Sequence, residues 1–333
     1  MNKSSSPSRR FSVAPMMDWT DRHCRAFHRQ LTARALLYTE MVTADAVIHG
    51  DRVRLLGFDE REHPVALQLG GSAADKLAQA ARIGADLGYD EINLNVGCPS
   101  DRVQSGRFGA CLMREPNLVG ALWSAMQEAA GATPVTIKSR IGVDEQEPKD
   151  ALFAFVDVVA QAGCSTFIVH ARKAWLDGVS PKENRELPPL DYALVHALKY
   201  ARPDLHIVLN GGLRDVRHAL DESSGLDGVM LGRAAYQTPA SLLDVDPLVF
   251  ATQSPSASRI DAVERHLLYI EARLREGTPL HAMTRHMLGL FHAQPGGRLW
   301  RRVLSEQGVK PGAGISVVRA ALAEVMRPRA RAA

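Results

Sequence analysis

Residues 206–234 read HIVLNGGLRDVRHALDESSGLDGVMLGRA, and this stretch decides the fold. Two short β-rich runs, HIVLNGG (206–212) and GVMLGRA (228–234), flank a segment of helical periodicity and carry glycine where each strand should end. Strand, helix and second strand in that order form the unit of a parallel sheet. Working back toward the amino terminus, the same unit recurs behind FSVAPMM (11–17), ALLYTEM (35–41), PVALQLG (64–70), EINLNVG (91–97), PVTIKSRIG (134–142) and TFIVHAR (166–172). Amphipathic segments at 73–88, 117–130 and 150–163 supply intervening helices, each closing near a glycine. Eight such units in roughly 240 residues predict an α/β fold of the (β/α)8 barrel type over residues 11–250. An open doubly wound sheet would want a G-x-G-x-x-G turn after its first strand, and FSVAPMMDWTD (11–21) has no glycine there.

Beyond the barrel the pattern changes to helices alone. QSPSASR (253–259) reads as a linker, and 260–277, 283–293 and 297–308 read as members of a C-terminal all-helical domain spanning 255–325. The first ten residues, MNKSSSPSRR, are basic and Ser-rich without an apolar run, which predicts a flexible tail rather than a signal peptide. The final PRARAA predicts a frayed end.

Composition narrows the function classes. With 46% hydrophobic and 23% charged residues among 333, the chain is too apolar for general disorder. Charged residues interrupt every long apolar segment, which argues against a membrane span and for a cytoplasmic protein. Cys24, Cys98, Cys111 and Cys164 form no C-x-x-C pair, and neither they nor His281, His286 and His292 show metal-ligand spacing, so no metal is expected. Three of the four thiols are expected to be small buried apolar groups. Residues 251–333 hold 13 Arg or Lys against 6 Asp or Glu, a surplus of +7, whereas the preceding 250 carry −4. A basic appendage on a mildly acidic body suits a polyanionic partner, although an Arg-rich solvated helical face would give the same count.

Barrels of this type keep their chemistry at the C-terminal ends of the strands. There the sequence places Gln68, Asn93, Asn95, Cys98, Lys138, Arg140, His170, Arg172, Asn210-Gly211-Gly212 and Gly232-Arg233. Glycines after the seventh and eighth strands let an anion approach backbone N–H groups, and Arg233 adds a charged fork, so a phosphate site is predicted; plain turn glycines are the alternative. A lysine at a central strand end implies negative charge at the heart of the pocket. A reduced flavin would supply it, with Gln68 suited to the amide-like edge of the ring. A Schiff-base lysine and a salt-bridged structural lysine remain alternatives for Lys138. His170 fits a flavin contact or a satisfied core histidine. Cys98, between Gly97 and Pro99, is aimed across the mouth. With no local base to make a thiolate, it reads as a proton donor rather than a nucleophile. The following SDRVQSGRFGACLM (100–113) reads as a mobile loop over the site.

APMMDWTDRHCR (14–25), NLNVGCPSDRVQSGRFGACLM (93–113), Lys138, His170, NGG (210–212) and LGRAAYQ (231–237) resemble the tRNA-dihydrouridine synthases, and MTRHMLGLFHAQPGGRLWRRVLSE (283–306) is similar to their A subfamily. The resemblance implies FMN as cofactor, NADPH as reductant, and reduction of D-loop uridines at positions 20 and 20a of tRNA, with hydride to C6 and a proton from Cys98 to C5. It places Pro15, Met16, Met17, Gln68, Lys138 and His170 at the flavin ring, and Asn210, Gly211, Gly212, Gly232 and Arg233 at its phosphate. Asn95, Arg107, Lys182, Arg185, Arg298 and Arg301 are implied as RNA contacts. A monomer is the default expectation. Two rival readings stay open: a flavin barrel reducing a free pyrimidine, and a non-enzymatic RNA-binding module on the same fold.

Overall fold

The computed structural model of the chain describes residues 7–327. Eight parallel strands close into a barrel in sequence order: β1 (Phe11–Val13), β2 (Leu36–Thr43), β3 (Val65–Gly70), β4 (Glu91–Val96), β5 (Val135–Ser139), β6 (Thr166–His170), β7 (His206–Asn210) and β8 (Gly228–Leu231). Closure is made by β1 on β8, with Phe11, Ser12 and Val13 opposite Val229, Met230 and Leu231. Helices Ala74–Asp86, Pro116–Ala130, Pro148–Gln161 and Tyr192–Ala201 cover the outside. Two of them begin with proline, whose fixed φ suits the first helical position. Because side chains alternate between a packed interior and a helix-covered exterior, β3 and β4 are buried at every position. The interior core joins Ala14, Leu36, Tyr38, Ala66, Ile168, Val208 and Met230 from strands around the ring.

Several expectations are corrected. Strand β1 stops at Val13, so Pro15, Met16 and Met17 lie in the following loop, which turns at Asp18 (φ 63°). The flexible tail does not reach residue 10. Arg9 pairs with Glu91 at 2.5 Å, and the Arg10 carbonyl accepts from Val229 N–H. Residues 1–6 and PRARAA (328–333) lie outside the described residues. Segment 100–113, expected as an open loop, folds into a helix at Asp101–Ser105 and a 3-10 turn at Gly109–Arg114, with Phe108, Ala110, Leu112 and Met113 buried.

The division into two compact units also differs from a boundary near 250–255. One unit holds the chain up to Asp18 together with Ala35–Gly232; the other holds Trp19–Arg34 together with everything from Arg233 onward. Within the second unit, the Asp246 carboxylate accepts from Thr32 Oγ1 (2.6 Å), Ala33 N–H (2.7 Å) and Arg34 N–H (3.2 Å). Asp21, the N-cap of helix Arg22–His28, also binds Arg285 (2.5 Å) and His286 (3.0 Å). These carboxylates recruit an excursion of the β1–β2 connection into the helical unit, a long-range choice that local periodicity does not record. The expected linker is fastened as well: Ser254 Oγ donates to the Leu243 carbonyl, and Ser258 caps helix Arg259–Arg275. Residues 283–293 are no single helix. Helix Leu280–Thr284 passes into a 3-10 turn at Arg285–Met287, and at Gly289 any Cβ would lie 2.1 Å from the Gln237 carbonyl oxygen. Helix Ile315–Met326 was not anticipated; a Cβ at Gly296 would lie 2.5 Å from its Glu324 carbonyl oxygen.

Candidate active site at the barrel mouth

The turn after β4 is built by Asn95. Its side-chain oxygen accepts from Gly97 N–H (3.1 Å) and Cys98 N–H (3.0 Å), while its amide nitrogen donates to Gln68 Oε1 (2.8 Å). The Cys98 carbonyl accepts from Ala110 N–H at 2.9 Å, tying the turn to the folded segment behind it. Gly109 (φ 76°) lets that segment come close, since a Cβ there would sit 2.5 Å from the Cys98 oxygen. The Cys98 thiol remains partly exposed, 3.5 Å from Ser100 Oγ. Cys24 and Cys164 are buried, and burial pushes the Cys164 thiol up to about 12. Cys111 is only half-buried, contrary to expectation, and lines a cavity of about 300 Å³ with Gln104, Arg107, Arg114 and Asp144.

Cations gather beside Cys98. Lys138, near the end of β5, makes no hydrogen bond or ion pair among the described residues, and burial followed by the Arg140 charge brings its ammonium down to about 7. Arg140 is only 3% exposed and donates to the carbonyls of Gly97 (3.1 Å), Lys173 (3.2 Å) and Asn184 (3.0 Å). Burial lowers it to about 10. His170 is held well below the ordinary imidazole range by burial, then by Arg140, Lys138, Arg172 and Arg185. Among the described residues no carboxylate figures in the charges acting on the three; the Cys98 thiol is the group that raises Lys138 and Arg140. Lys138 is half-buried and its favourable neighbour is the Cys98 thiol rather than a carboxylate, so the site fits an anionic or electron-rich ligand.

Strands β7 and β8 complete the rim. Asn210 Nδ2 donates to the Met230 carbonyl (2.8 Å) and Tyr192 OH donates to the Gly211 carbonyl (2.6 Å), fixing the loop. Gly211 (φ 113°) makes room for the His170 ring, which a Cβ would approach to 2.5 Å. At Gly232 a Cβ would meet only Ala14 at 4.0 Å, so the backbone there faces open space, as a phosphate cradle needs. Arg233 follows directly in the chain and opens helix Arg233–Gln237.

Thus the fold gathers Gln68, Asn95, Cys98, Lys138, His170 and the glycine rim at one end of the barrel. Asn95 is 8% exposed and its amide is taken up by the turn, whereas Arg107, Lys182 and Arg185 are exposed. Arg298 and Arg301 are exposed on helix Gly297–Gln307 of the other unit. Sequence reading placed Asn93 among the strand-end polar groups but passed over Glu91 and Thr136, although polar residues at alternate positions 91, 93 and 95 of a buried strand mark a polar line facing the interior. Among the described residues there is no cluster of three or more His, Cys, Asp or Glu able to hold a metal ion, and no helix long and apolar enough to cross a membrane.

The barrel resembles that of morphinone reductase, with a TM-score of 0.53 and 14% identity over 73% of this chain and 86% of that one. That likeness concerns the fold alone. The sequence matches the dihydrouridine synthase (Dus) family over residues 12–325. It is 55% identical over 317 residues to the tRNA-dihydrouridine(20/20a) synthase of Vibrio vulnificus, covering 95% of this chain and 97% of that protein. Proteins of the same name from Xanthomonas axonopodis (58% over 316 residues, 95% and 93% covered) and Synechocystis (54% over 311 residues, 93% of each) are similar over as much of their length. With the family match running through both units, this chain belongs to the dihydrouridine synthase family.

Proposed function

We propose that the protein reduces uridine to 5,6-dihydrouridine at positions 20 and 20a of tRNA, using FMN reduced by NADPH. The observation that carries this reading is the half-buried Lys138, without an ion-pair partner among the described residues, beside a partly exposed Cys98, in a chain whose relatives bear that activity in their names. Lys138 and Gln68 would hold the flavin ring edge, with His170 and the loop of Pro15, Met16 and Met17 beside it. Asn210, Gly211, Gly212, Gly232 and Arg233 would hold the phosphate. When bound, FMN supplies hydride to C6 of the uracil ring.

The protein's own part is to orient and to protonate. Charge left on the uracil is shared between C5 and O4, and Cys98 delivers its proton to C5. The Asn95 turn keeps that thiol at the mouth, while Arg140 braces the Gly97 carbonyl behind it. For the base to enter, the nucleotide must leave the RNA stack, which costs a few kcal/mol, less in a loop than in a helix. Arg107, Lys182 and Arg185 on the barrel unit, and Arg298 and Arg301 on the helical unit, are proposed to offset that cost through phosphate contacts. We further propose that the enzyme works as a monomer in the cytoplasm.

The test is direct. Purified protein with FMN and NADPH is given unmodified tRNA or free uridine, and dihydrouridine is mapped by nucleotide. Formation at 20 and 20a of tRNA, with free uridine inert, is expected. A colourless protein that takes up no FMN, or equal turnover of free uridine, would overturn the reading.

A further inference from the structure

A line of buried polar side chains runs through the barrel interior from its floor to the Cys98 turn. It starts at Glu91, which is fully buried and paired with Arg9 at 2.5 Å. Thr136 Oγ1 donates to Glu91 Oε1 (2.6 Å), and Asn93 Nδ2 donates to Thr136 Oγ1 (2.8 Å). Gln68 Nε2 donates to Asn93 Oδ1 (2.8 Å), and Asn95 Nδ2 donates to Gln68 Oε1 (2.8 Å). Asn95 Oδ1 then accepts from the N–H groups of Gly97 and Cys98.

The direction of every link is forced. A carboxylate only accepts, so the Thr136 hydroxyl must spend its single proton on Glu91. Its lone pairs then face Asn93, which must turn its nitrogen toward them and present its oxygen to Gln68. Gln68 in turn must present its nitrogen to Asn93 and its oxygen to Asn95. Asn95 is left with its oxygen, and not its nitrogen, toward the turn. Reversing any one amide would place two donors or two acceptors against each other among buried side chains, and the penalty rises with burial.

We propose that this relay, anchored by Glu91 and passed through Thr136 and Asn93, is a positioning device that fixes the amide orientations of Gln68 and Asn95 and thereby locks the turn carrying Cys98. Thr136 and Asn93 act through the groups above them and are positioning residues, not catalytic ones. The inference rests on Cys98 as the acid proposed above, but its first readout needs neither tRNA nor flavin.

The discriminating variants are Thr136→Val, which keeps the shape and deletes the hydroxyl, and Thr136→Ser, which restores the hydroxyl without the methyl. Thr136→Ala replaces the valine variant should that one not fold, with thermal melting as the check. Amide hydrogen exchange of the peptide spanning residues 93–99 is expected to accelerate about tenfold at Gly97 and Cys98 in Thr136→Val, the change that loss of roughly one hydrogen bond produces. Amides of β6 and β7 should stay protected, and Thr136→Ser should restore the slow rate. Tyr38→Phe removes a donor to Glu91 outside the relay and should leave exchange at the turn unchanged.

In the flavin-loaded enzyme, Thr136→Val should slow flavin reoxidation by tRNA about tenfold, again with rescue by serine. Unchanged exchange at Gly97 and Cys98 in Thr136→Val overturns the relay, as does equal acceleration in the serine variant. If exchange responds as stated while the wild-type protein makes no dihydrouridine, the relay stands and the proposed reaction falls. If the wild type makes dihydrouridine and exchange does not respond, the reverse holds.

Discussion

At the floor of the barrel, Glu91 is closed off by Arg9, Tyr38 and Thr136, whereas at the mouth Lys138, Arg140 and His170 face one another with no carboxylate among the described residues acting on them. Both ends bury polar groups in the same eight strands. At the floor the Glu91 carboxylate is satisfied within the chain, although Arg9 Nη2 is left without a hydrogen bond, and burial together with the Glu91 charge pushes the Tyr38 phenol well up, so that it stays a donor. At the mouth a half-buried ammonium has no carboxylate partner among the described residues, an arrangement that a folding requirement alone would not retain. Compensated polarity stabilises; uncompensated polarity waits for a ligand.

Substitutions at the two ends should therefore fail in different ways. The largest effect is expected from Cys98→Ala, which removes the proposed acid: tRNA reduction should fall by about 10²–10⁴-fold, while NADPH still bleaches the bound flavin. Stopped-flow absorbance separates the two half-reactions, and full tRNA turnover in this variant would contradict the assigned role. Next is Glu91→Ala, which strands Arg9 and the Tyr38 hydroxyl. Urea unfolding should show a loss of about 3–5 kcal/mol, as for other broken buried pairs. A loss below about 1 kcal/mol would place this pair with exposed ion pairs and dissolve the contrast.

Lys138→Met should act in the opposite sense. Without FMN the variant should be at least as stable as the wild type, because a half-buried ammonium without a carboxylate partner is gone, yet FMN should bind about 10–100-fold more weakly. The pH dependence has a definite sign. With Lys138 near 7 in the empty protein and raised by donating to the acceptor atoms of the bound ring edge, binding takes up a proton, so FMN affinity should weaken as pH rises from 7 to 9. The flavin phosphate has finished titrating by then, its second pKa being about 6. In Lys138→Met the slope should vanish, and fluorescence titration at four or more pH values reads it. A variant that loses stability without losing FMN would make Lys138 a structural lysine. The smallest effects belong to single exposed cations of the helical unit. Arg298→Ala and Arg301→Ala should each weaken tRNA binding a few-fold and lower the slope of log K against log salt by about 1. An unaltered slope would leave that helix face merely solvated.

Much of this architecture is legible before any coordinates. The eight β-rich runs, their glycine punctuation and the polar residues at the C-terminal ends follow from side-chain alternation and turn chemistry, which are local properties. Cys98 between Gly97 and Pro99, Lys138 at the end of β5 and the glycine rim after β7 and β8 could be named for the same reason. Segment 100–113 shows where such reading stops: its Gly-rich polarity suggests an open loop, but Phe108, Ala110, Leu112 and Met113 find burial in the fold.

What the chain's order of residues determines alone is the barrel, its polar end and the kinds of group available there. Only the folded molecule decides that Trp19–Arg34 belongs with the helices, because the carboxylates of Asp21 and Asp246 meet partners far away in sequence. It also decides that Lys138 has no carboxylate partner among the described residues and that Glu91, Thr136, Asn93, Gln68 and Asn95 form one directed line. Charge compensation and hydrogen-bond polarity are relations between groups on different strands, and they come into being only when the strands close the ring.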